Sequence, residues 1–488
     1  MTSAQQLAEF VIRSRFEDLS EAAKQQLKIR VLDTLGCATG AIEGEPIQIL
    51  RQHFEQFDKD GSCSLIGGRR CSPYGAAFYN GALARYLDFN DSYLAKGETC
   101  HPSDNLAAIL AASEYSGASG RDFLTALAVA YQVQCRLSEA APVRAAGFDH
   151  TSQGTFAVAA GVSRALGLGR EETANALAIS GTAFHALRVT RTGKLSHWKG
   201  LAYPNMAAGC TNATLLAMRG ITGPQEVMEG EKGFMDAISG MFEIDWSKED
   251  LERVRSTSLK KYNAEIHSQS VIEAALALKA RYNVRPEQIG KIELEVFDVA
   301  YHIIGGGDEG DKTMVGTKEQ ADHSLPYLIA AALLDGQVMP EQFADERIRR
   351  KDVQTLLHRV TISPNEAFSQ QFPQAMPCRV RLVLNDGRSL TETLRDYPGF
   401  FTRPMKWEEV FAKFERLTEP FTTSSLRRSI ADAIERLDTR PVSELTRLLR
   451  QAHASTRPHS VGRIPMPKEH EQCQLKRKRK IPLEYLIS

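Results

Sequence analysis

The sequence predicts a mainly α-helical fold, in which a large all-helical domain is combined with a smaller α+β domain. Three observations lead to this prediction. Helical periodicity dominates the chain up to about residue 255, alternation of apolar and polar residues begins after Lys260, and helical periodicity returns from Trp407. A change of period from 3.6 to 2 and back marks a change of secondary structure. We therefore expect the chain to leave the helical domain once and to return to it.

The helical domain is predicted from Ala- and Leu-rich runs in which apolar residues recur at three- and four-residue spacing. Several of these runs end at Gly, as helices often do. Their Ala content indicates close packing, with the central helices apolar on all sides. The runs occupy residues 19–36, 75–87, 105–117, 120–140, 153–169, 170–184 and 206–220.

The smaller domain is predicted from strand patterns. Residues 291–297, KIELEVF, alternate apolar and acidic side chains, as half-buried strands do. A second strand is predicted at 359–363, and residues 378–394 show a hairpin pattern around an Asn-Asp-Gly turn. Helical runs lie among these strands, so residues 262–400 are assigned to an α+β domain.

The remaining boundaries follow from the same patterns. Residues 1–261 are the first part of the large helical domain, and residues 401–451 are its helical return. Residues 452–488 show no sustained periodicity and contain a basic run at 476–480, so we expect a disordered basic tail. A nucleic-acid-binding tail is the alternative that the basic run raises.

Composition argues against several classes of protein. The 488 residues contain 60 basic and 60 acidic side chains, which leaves no net field to attract nucleic acid or a membrane surface. No apolar run approaches the length of a membrane span, and the N-terminus has the pattern of an amphipathic helix rather than of a signal peptide. We expect a cytoplasmic protein whose partner is a small molecule.

The cysteines give no sign of a structural or catalytic metal. The chain has 8 of them, and none forms a CxxC pair. This spacing argues against a disulfide framework, a zinc site and an iron–sulfur cluster. We therefore expect neither a metal nor a cofactor.

The densest group of chemically active side chains lies in residues 87–105, LDFNDSYLAKGETCHPSDN. Two helix-like apolar runs flank it, a pattern typical of a pocket lining. Its candidate side chains are Asp88, Asp91, Ser92, His101 and Ser103. A His can transfer a proton near pH 7, and a neighbouring carboxylate can fix its tautomer. Helix capping by Asp, Ser and Asn is the structural alternative.

This stretch and four later motifs resemble the MmgE/PrpD family. LDFND and HPSDN are followed in the expected order by GFDHTSQGTFAVAAG, SHWKGLAYPNMAAG, KKYNAEIHSQSVIEAA and DHSLPYLIAAALLDG. The resemblance runs from about Leu32 to about Pro441. It implies a helical domain with a smaller α+β lid domain, a cofactor-free enzyme and a homodimer.

The resemblance also implies the site residues. The implied catalytic set is Asp88, His101, His150, Lys199 and Lys260. Because Lys261 follows directly, the motif does not decide which of the two adjacent lysines faces the site. The substrate-binding set is Ser92, His267 and Gln269, to which Asp91 and Ser103 of the polar stretch are added. Arg188 and Arg191 are further candidate anion contacts, with a basic surface patch as an equal alternative. The chain departs from the family at Ser92-Tyr93, where Thr-Trp is usual, and in a GETC insertion before His101.

These residue types suit the removal of water from a hydroxylated tricarboxylate. That reaction needs a base for a carbon-bound proton, an acid for the departing hydroxyl and cations for the carboxylates. The resemblance implies a hydro-lyase that converts 2-methylcitrate to 2-methyl-cis-aconitate in propionate catabolism. Decarboxylation of cis-aconitate, epimerisation of a related dicarboxylate, and a non-catalytic binding role stay open. Asp104-Asn105 after HPS favours the dehydratases, because the family's decarboxylases usually have Gly after HPS.

Overall fold

The computed structural model describes residues 1–193 and 195–453. Up to residue 217 the secondary structure is mainly helical, as the sequence predicts. The helices are α1 Ser3–Arg13, α2 Glu21–Gly40, α3 Glu45–Phe57, α4 Pro73–Tyr86, α5 Leu106–Ser116, α6 Gly120–Ala140, α7 Thr151–Leu166, α8 Arg170–Ala183 and α9 Trp198–Ala217. In the part of the chain that the structure describes, no helix combines the length and apolarity that a bilayer crossing requires.

Local sequence signals set the ends of these helices. Ser20 and Ser72 are N-caps, and each hydroxyl group accepts a hydrogen bond from the backbone N–H three residues further on. Helix α5 ends at Gly117, whose φ of 69° is a left-handed conformation that Gly adopts without strain. Helices α5 and α7 are rich in Ala and buried over most of their length, which confirms the prediction for the central helices.

Two short strand pairs lie within the helical part. β1 (Cys63–Ser64) pairs with β2 (Arg70–Cys71), and β3 (Tyr93–Ala95) pairs with β4 (Glu98–Cys100), both antiparallel. The β3–β4 turn passes through Gly97, whose φ is 87°. Strands of two or three residues are too short for a periodicity to reveal them, and the sequence does not predict them.

The segment after residue 260 contains a sheet of four strands. They are β5 Ile289–Val296, β6 Val360–Pro364, β7 Cys378–Leu384 and β8 Ser389–Leu394. The order in the sheet is β6-β5-β7-β8, in which β5 and β6 run parallel and the other pairs antiparallel. Each predicted strand is therefore present. The helices among them are α10 Gln269–Tyr282, α11 Asp298–Ile304, α12 Lys318–Ala321, α13 Leu325–Asp335, α14 Asp345–Ile348, α15 Lys351–Leu357 and α16 Glu366–Ser369.

The chain has two main hydrophobic cores. The first is built mainly by residues 4–259 and by residues 405–452, after the sheet. In the second range lie α17 Trp407–Thr418, α18 Ser424–Glu435 and α19 Val442–Leu449, and α17 packs along α2. The predicted tail lies outside the described residues except for its first two, of which Ala452 is buried in this core.

The second core is built mainly by residues 262–400, from the sheet and the helices that cover it. Leu94 of β3 also belongs to this core, whereas Phe89, five residues earlier, belongs to the first. The polar stretch 87–105 therefore lies where the two cores meet. Its side chains can face residues from both parts of the chain, as a small-molecule pocket between domains requires.

Candidate active site

The backbone of the polar stretch is fixed by Asp91, which is fully buried. Its carboxylate accepts hydrogen bonds from the backbone N–H of Ser103 at 3.0 Å and from the Tyr131 hydroxyl at 2.8 Å. Burial raises the pKa of Asp91, although Arg30 and these donors oppose the rise. Ser103 in turn accepts from Asn90 at 2.9 Å. The structure places Asp91 and Ser103 beneath the site, where they hold its shape.

His101 follows the β3–β4 hairpin and is 8% exposed. Its Nδ1 lies 2.8 Å from the backbone oxygen of Asp91 and 3.0 Å from Oγ of Ser92. A carbonyl oxygen only accepts, so Nδ1 carries the proton and Nε2 has the free lone pair. Burial, followed by the charges of Arg85 and Lys260, holds the pKa of His101 well below its usual value. The imidazole is therefore neutral near pH 7 and able to accept a proton.

His150 stands next to His101, with 5.4 Å between the ring centroids in an edge-to-face arrangement. Its Nδ1 is 3.2 Å from the carboxylate of Asp149, and its ring stacks on Tyr203 at 5.7 Å. The Nε2 atom is buried without a hydrogen-bond partner among residues 1–193 and 195–453, and its nearest carboxylate, Asp104, is 3.9 Å away. Buried ring nitrogens are normally paired, so this one is available to a ligand.

Asp88 is the centre of a cluster of charges. Its carboxylate lies 2.5 Å from Arg85 and 2.8 Å from Lys260, and Lys260 also donates to the backbone oxygen of Asp88 at 2.7 Å. Burial alone would raise the pKa of Asp88, but Arg85, Lys260 and Lys199 lower it far below the usual value. Asp88 has a φ of 55°, a conformation that costs a side-chain-bearing residue about 1–3 kcal/mol. Such strain is concentrated at functional sites.

Lys199 approaches Asp88 from α9, and it also reaches two residues that the sequence did not single out. Its Nζ lies 3.4 Å from Asp88, 2.9 Å from Asp322 and 2.9 Å from Nδ1 of His323. Nδ1 of His323 is only 2.6 Å from the Asp322 carboxylate, so that nitrogen carries a proton. Asp322 and His323 precede α13 and begin the DHSLPY motif. This motif is the sequence feature from which their place in the site could have been predicted.

Asp88, Asp322 and His323 are close enough to bind a metal ion together. The ammonium group of Lys199 instead contacts all three of them. A divalent ion would have to displace this charge from a buried position, which makes the group a poor metal site. The expectation that the site needs no metal stays a prediction.

His267 and Gln269, at the start of α10, are placed differently from one another. His267 faces the site with its Nδ1 2.6 Å from the carboxylate of Glu265, while its Nε2 is buried and unpaired within the described residues. Gln269 accepts from the backbone N–H groups of Lys261 and Tyr262 at 2.9 and 3.0 Å. It therefore supports the loop that presents Lys260. Lys261 itself binds Glu273 at 2.7 Å, whereas Lys260 lines the cleft described below.

These groups surround one cleft with about 460 Å³ of empty space, its open mouth included. The lining residues are Arg85, Asp88, Thr99, His101, Arg144, His150, Arg188, Arg191, Lys260, Glu265, His267, Ile303, Glu309 and His323. Cationic side chains outnumber carboxylates along this lining, which favours an anionic ligand.

The cleft brings together five of the predicted catalytic and substrate-binding residues, namely Asp88, His101, His150, Lys260 and His267. Both candidate anion contacts, Arg188 and Arg191, line it as well. Ser92 contacts His101 and Lys199 contacts Asp88, but neither is among the lining residues of the cleft. Besides His323, the sequence did not single out Arg85 and Arg144 as members. Arg144 gave no signal, because it follows a helix outside every recognised motif.

The chain also matches known proteins over most of its length. The MmgE/PrpD N-terminal domain matches residues 5–247, and the MmgE/PrpD C-terminal domain matches residues 262–439. The cis-aconitate decarboxylase of Mus musculus is 27% identical over 461 residues, which cover 88% of this chain and 90% of the relative. The 2-methylcitrate dehydratase of Escherichia coli (strain K12) is 27% identical over 472 residues, which cover 88% of this chain and 93% of the relative. The chain thus belongs to the MmgE/PrpD family of lyase-type enzymes.

Proposed function

We propose that this enzyme is a cofactor-free hydro-lyase that removes water from a hydroxylated tricarboxylate, with 2-methylcitrate as the substrate and 2-methyl-cis-aconitate as the product. The observation that carries the proposal is the neutral imidazole of His101 within a cationic cleft. A base and an excess of positive charge are what proton abstraction beside a carboxylate needs.

His101 is the proposed base. Its Nε2 takes the proton from the carbon beside a substrate carboxylate, because Nδ1 already donates to Asp91. The pair of electrons that is released forms the double bond as the hydroxyl leaves the neighbouring carbon. Negative charge grows on the substrate carboxylate during this step, and Lys260 and Arg85 line the cleft to stabilise it.

His150 is the proposed proton donor to the departing hydroxyl. Its ring is in contact with that of His101, so one substrate can reach both. Asp149 fixes its orientation through Nδ1, which leaves Nε2 as the reacting nitrogen. The hydroxyl then leaves as water, and proton transfer in solution resets the two imidazoles.

Decarboxylation of cis-aconitate is the second candidate, because the mouse decarboxylase is as similar to this chain as the bacterial dehydratase. Asp104 favours dehydration. Its carboxylate lies 3.9 Å from Nε2 of His150 and 3.6 Å from Arg85. A Gly at this position would remove the carboxylate that lies nearest to Nε2 of His150, so Asp104 is suited to support a proton donor at that nitrogen.

Incubation of the purified enzyme with 2-methylcitrate, citrate and cis-aconitate separates these reactions. Absorbance of an unsaturated acid and release of carbon dioxide are recorded together. The proposal expects absorbance to rise with 2-methylcitrate and no carbon dioxide to appear. Carbon dioxide from cis-aconitate would establish the second candidate, and inactivity on all three acids would contradict both.

The homodimer, the cytoplasmic location and the role in propionate catabolism stay predictions. Size-exclusion chromatography with light scattering measures the first of them directly. A mass of about 108 kDa, twice the 54.0 kDa of the chain, is the expected result.

A further inference from the structure

Three guanidinium groups line the cleft beside the imidazoles and have no part in the proposed proton transfers. They belong to Arg144, Arg188 and Arg191. Arg188 and Arg191 lie on a single turn of 3-10 helix between α8 and α9, and Arg144 starts another such turn after α6. Two segments that are distant in the sequence thus bring three positive charges to one cleft.

Among the described residues, each of these arginines has at most one carboxylate within hydrogen-bond distance, and Asp149 lies 4.0 Å from Arg188 as well. Arg191 pairs through its Nε with Asp149, and Arg188 lies 2.8 Å from Glu309. Arg144 is 3.8 Å from Glu98, which is too far for a hydrogen bond. Since a guanidinium group has five N–H donors, these single contacts leave most of its donors free.

Two of the free donors are buried. Nη2 of Arg191 and Nε of Arg144 have no hydrogen-bond partner in residues 1–193 and 195–453. Buried donors of this kind are rare in folded proteins, and each one costs free energy when it stays unpaired. Burial, followed by the charge of Arg188, lowers the pKa of Arg144. Arg144 and Arg188 both line the cleft, and an anion bound between them would offset the repulsion between their charges.

We propose that Arg144, Arg188 and Arg191 form a carboxylate subsite, which binds the substrate arm that does not take part in the chemistry. The inference deepens the proposed function, on which it rests, by assigning one carboxylate of the tricarboxylate to named residues of the cleft. Arginine pairs with carboxylates through two parallel hydrogen bonds, so this subsite selects a planar carboxylate at a fixed orientation. The subsite orients the remaining two carboxylates toward His101 and Lys260.

Calorimetric binding of two unreactive acids tests the subsite without turnover. Propane-1,2,3-tricarboxylate has no hydroxyl to lose, and succinate is the same molecule without one carboxymethyl arm. The wild type is expected to bind the tricarboxylate at least 10-fold more tightly than succinate, on the scale of a hydrogen bond to a charged group. Arg144→Gln and Arg188→Gln are expected to remove most of this preference while leaving the affinity for succinate nearly unchanged.

Arg349→Gln is the matched control, because Arg349 pairs with Asp345 at a helix end outside the cleft. It should bind both acids like the wild type. Arg144→Lys controls for a folding defect, because it keeps the positive charge but cannot form the two parallel hydrogen bonds to a carboxylate. This variant should show an intermediate preference for the tricarboxylate. The melting temperature of each variant is measured alongside.

Two results would overturn the subsite: a preference for the tricarboxylate that survives in both glutamine variants, or an equal loss of affinity for both acids. Failure of the proposed function looks different. In that case the arginine-dependent preference is present, but no hydroxylated acid is dehydrated.

Discussion

Replacing Asp88 by Asn removes the negative charge around which the site is organised, while keeping the shape of the side chain. Asn also tolerates the left-handed backbone of this position, where φ is 55°. The change therefore isolates the charge. Lys260, which is 0% exposed, would lose its only carboxylate within 4.0 Å among the described residues.

The size of the effect follows from the contacts that survive. Leaving one partner of a buried ion pair uncompensated costs about 3–5 kcal/mol. Lys260 keeps its 2.7 Å hydrogen bond to the backbone oxygen of residue 88, and Lys199 keeps Asp322 at 2.9 Å. We therefore expect the lower end, about 3 kcal/mol of unfolding free energy, and a fall in melting temperature of about 5 °C.

Thermal unfolding followed by circular dichroism measures the loss. Lys260→Met in the Asp88→Asn background should recover part of it, because the unpaired cation is then gone. Asp345→Asn, at an exposed pair with Arg349, is the control and should change stability little. If Asp88→Asn melted like the wild type, the charge cluster would not be the buried, coupled group described above.

The effect of Asp88→Asn should depend on pH with a definite sign. The pKa of Asp88 is depressed in the folded protein, so its contribution to stability is fully present above the unfolded pKa of about 4. That contribution is lost as the pH falls through the folded value. The melting difference between wild type and variant should therefore be constant near neutral pH and shrink in acid.

Three further predictions concern the site. Gly154→Ala should lower turnover by roughly 10- to 100-fold, because the new Cβ would lie 2.5 Å from the Tyr203 ring that stacks on His150. The value of kcat/KM should hold as the pH falls to about 6.5 and decline only below it, since the lowered pKa keeps His101 neutral. Activity should survive exhaustive chelation, because Lys199 occupies the candidate metal position.

A different result would contradict each of these three predictions. Gly200→Ala, where a Cβ meets open space, is the control for the glycine change, and equal activity of the two variants would disconnect Tyr203 from catalysis. An acid limb of kcat/KM centred above pH 7 would rule out a base with a depressed pKa. Activity that EDTA removes and a divalent metal restores would require a metal in the mechanism.

Much of the fold could be predicted from the sequence because its periodicities are strong. The predicted strand at 291–297 is observed at 289–296, and the hairpin predicted at 378–394 is observed at 378–384 and 389–394. The short β3–β4 hairpin could not be predicted. Its pairing depends on tertiary contacts, such as Leu94 in the second core, rather than on a local pattern.

The site was predictable where chemistry and motif coincide. His101, His150 and Asp88 stand in recognisable motifs, and the structure places them together. Arg144 could not be found, because its role depends on which distant segments face the same cleft. Asp91 and Ser103 are the opposite case. They stand next to the motif residues in the sequence, but their polar atoms form hydrogen bonds with other residues of the protein.

Turnover by His101→Ala tests the central claim most directly, namely that the neutral imidazole of His101 removes the substrate proton. The account predicts that kcat for 2-methylcitrate falls by about 10²–10⁴-fold, the usual scale for a general base. The melting temperature and the affinity for propane-1,2,3-tricarboxylate should stay near their wild-type values. A variant that melts earlier but turns over at the wild-type rate per folded molecule would contradict the account and make His101 a structural residue.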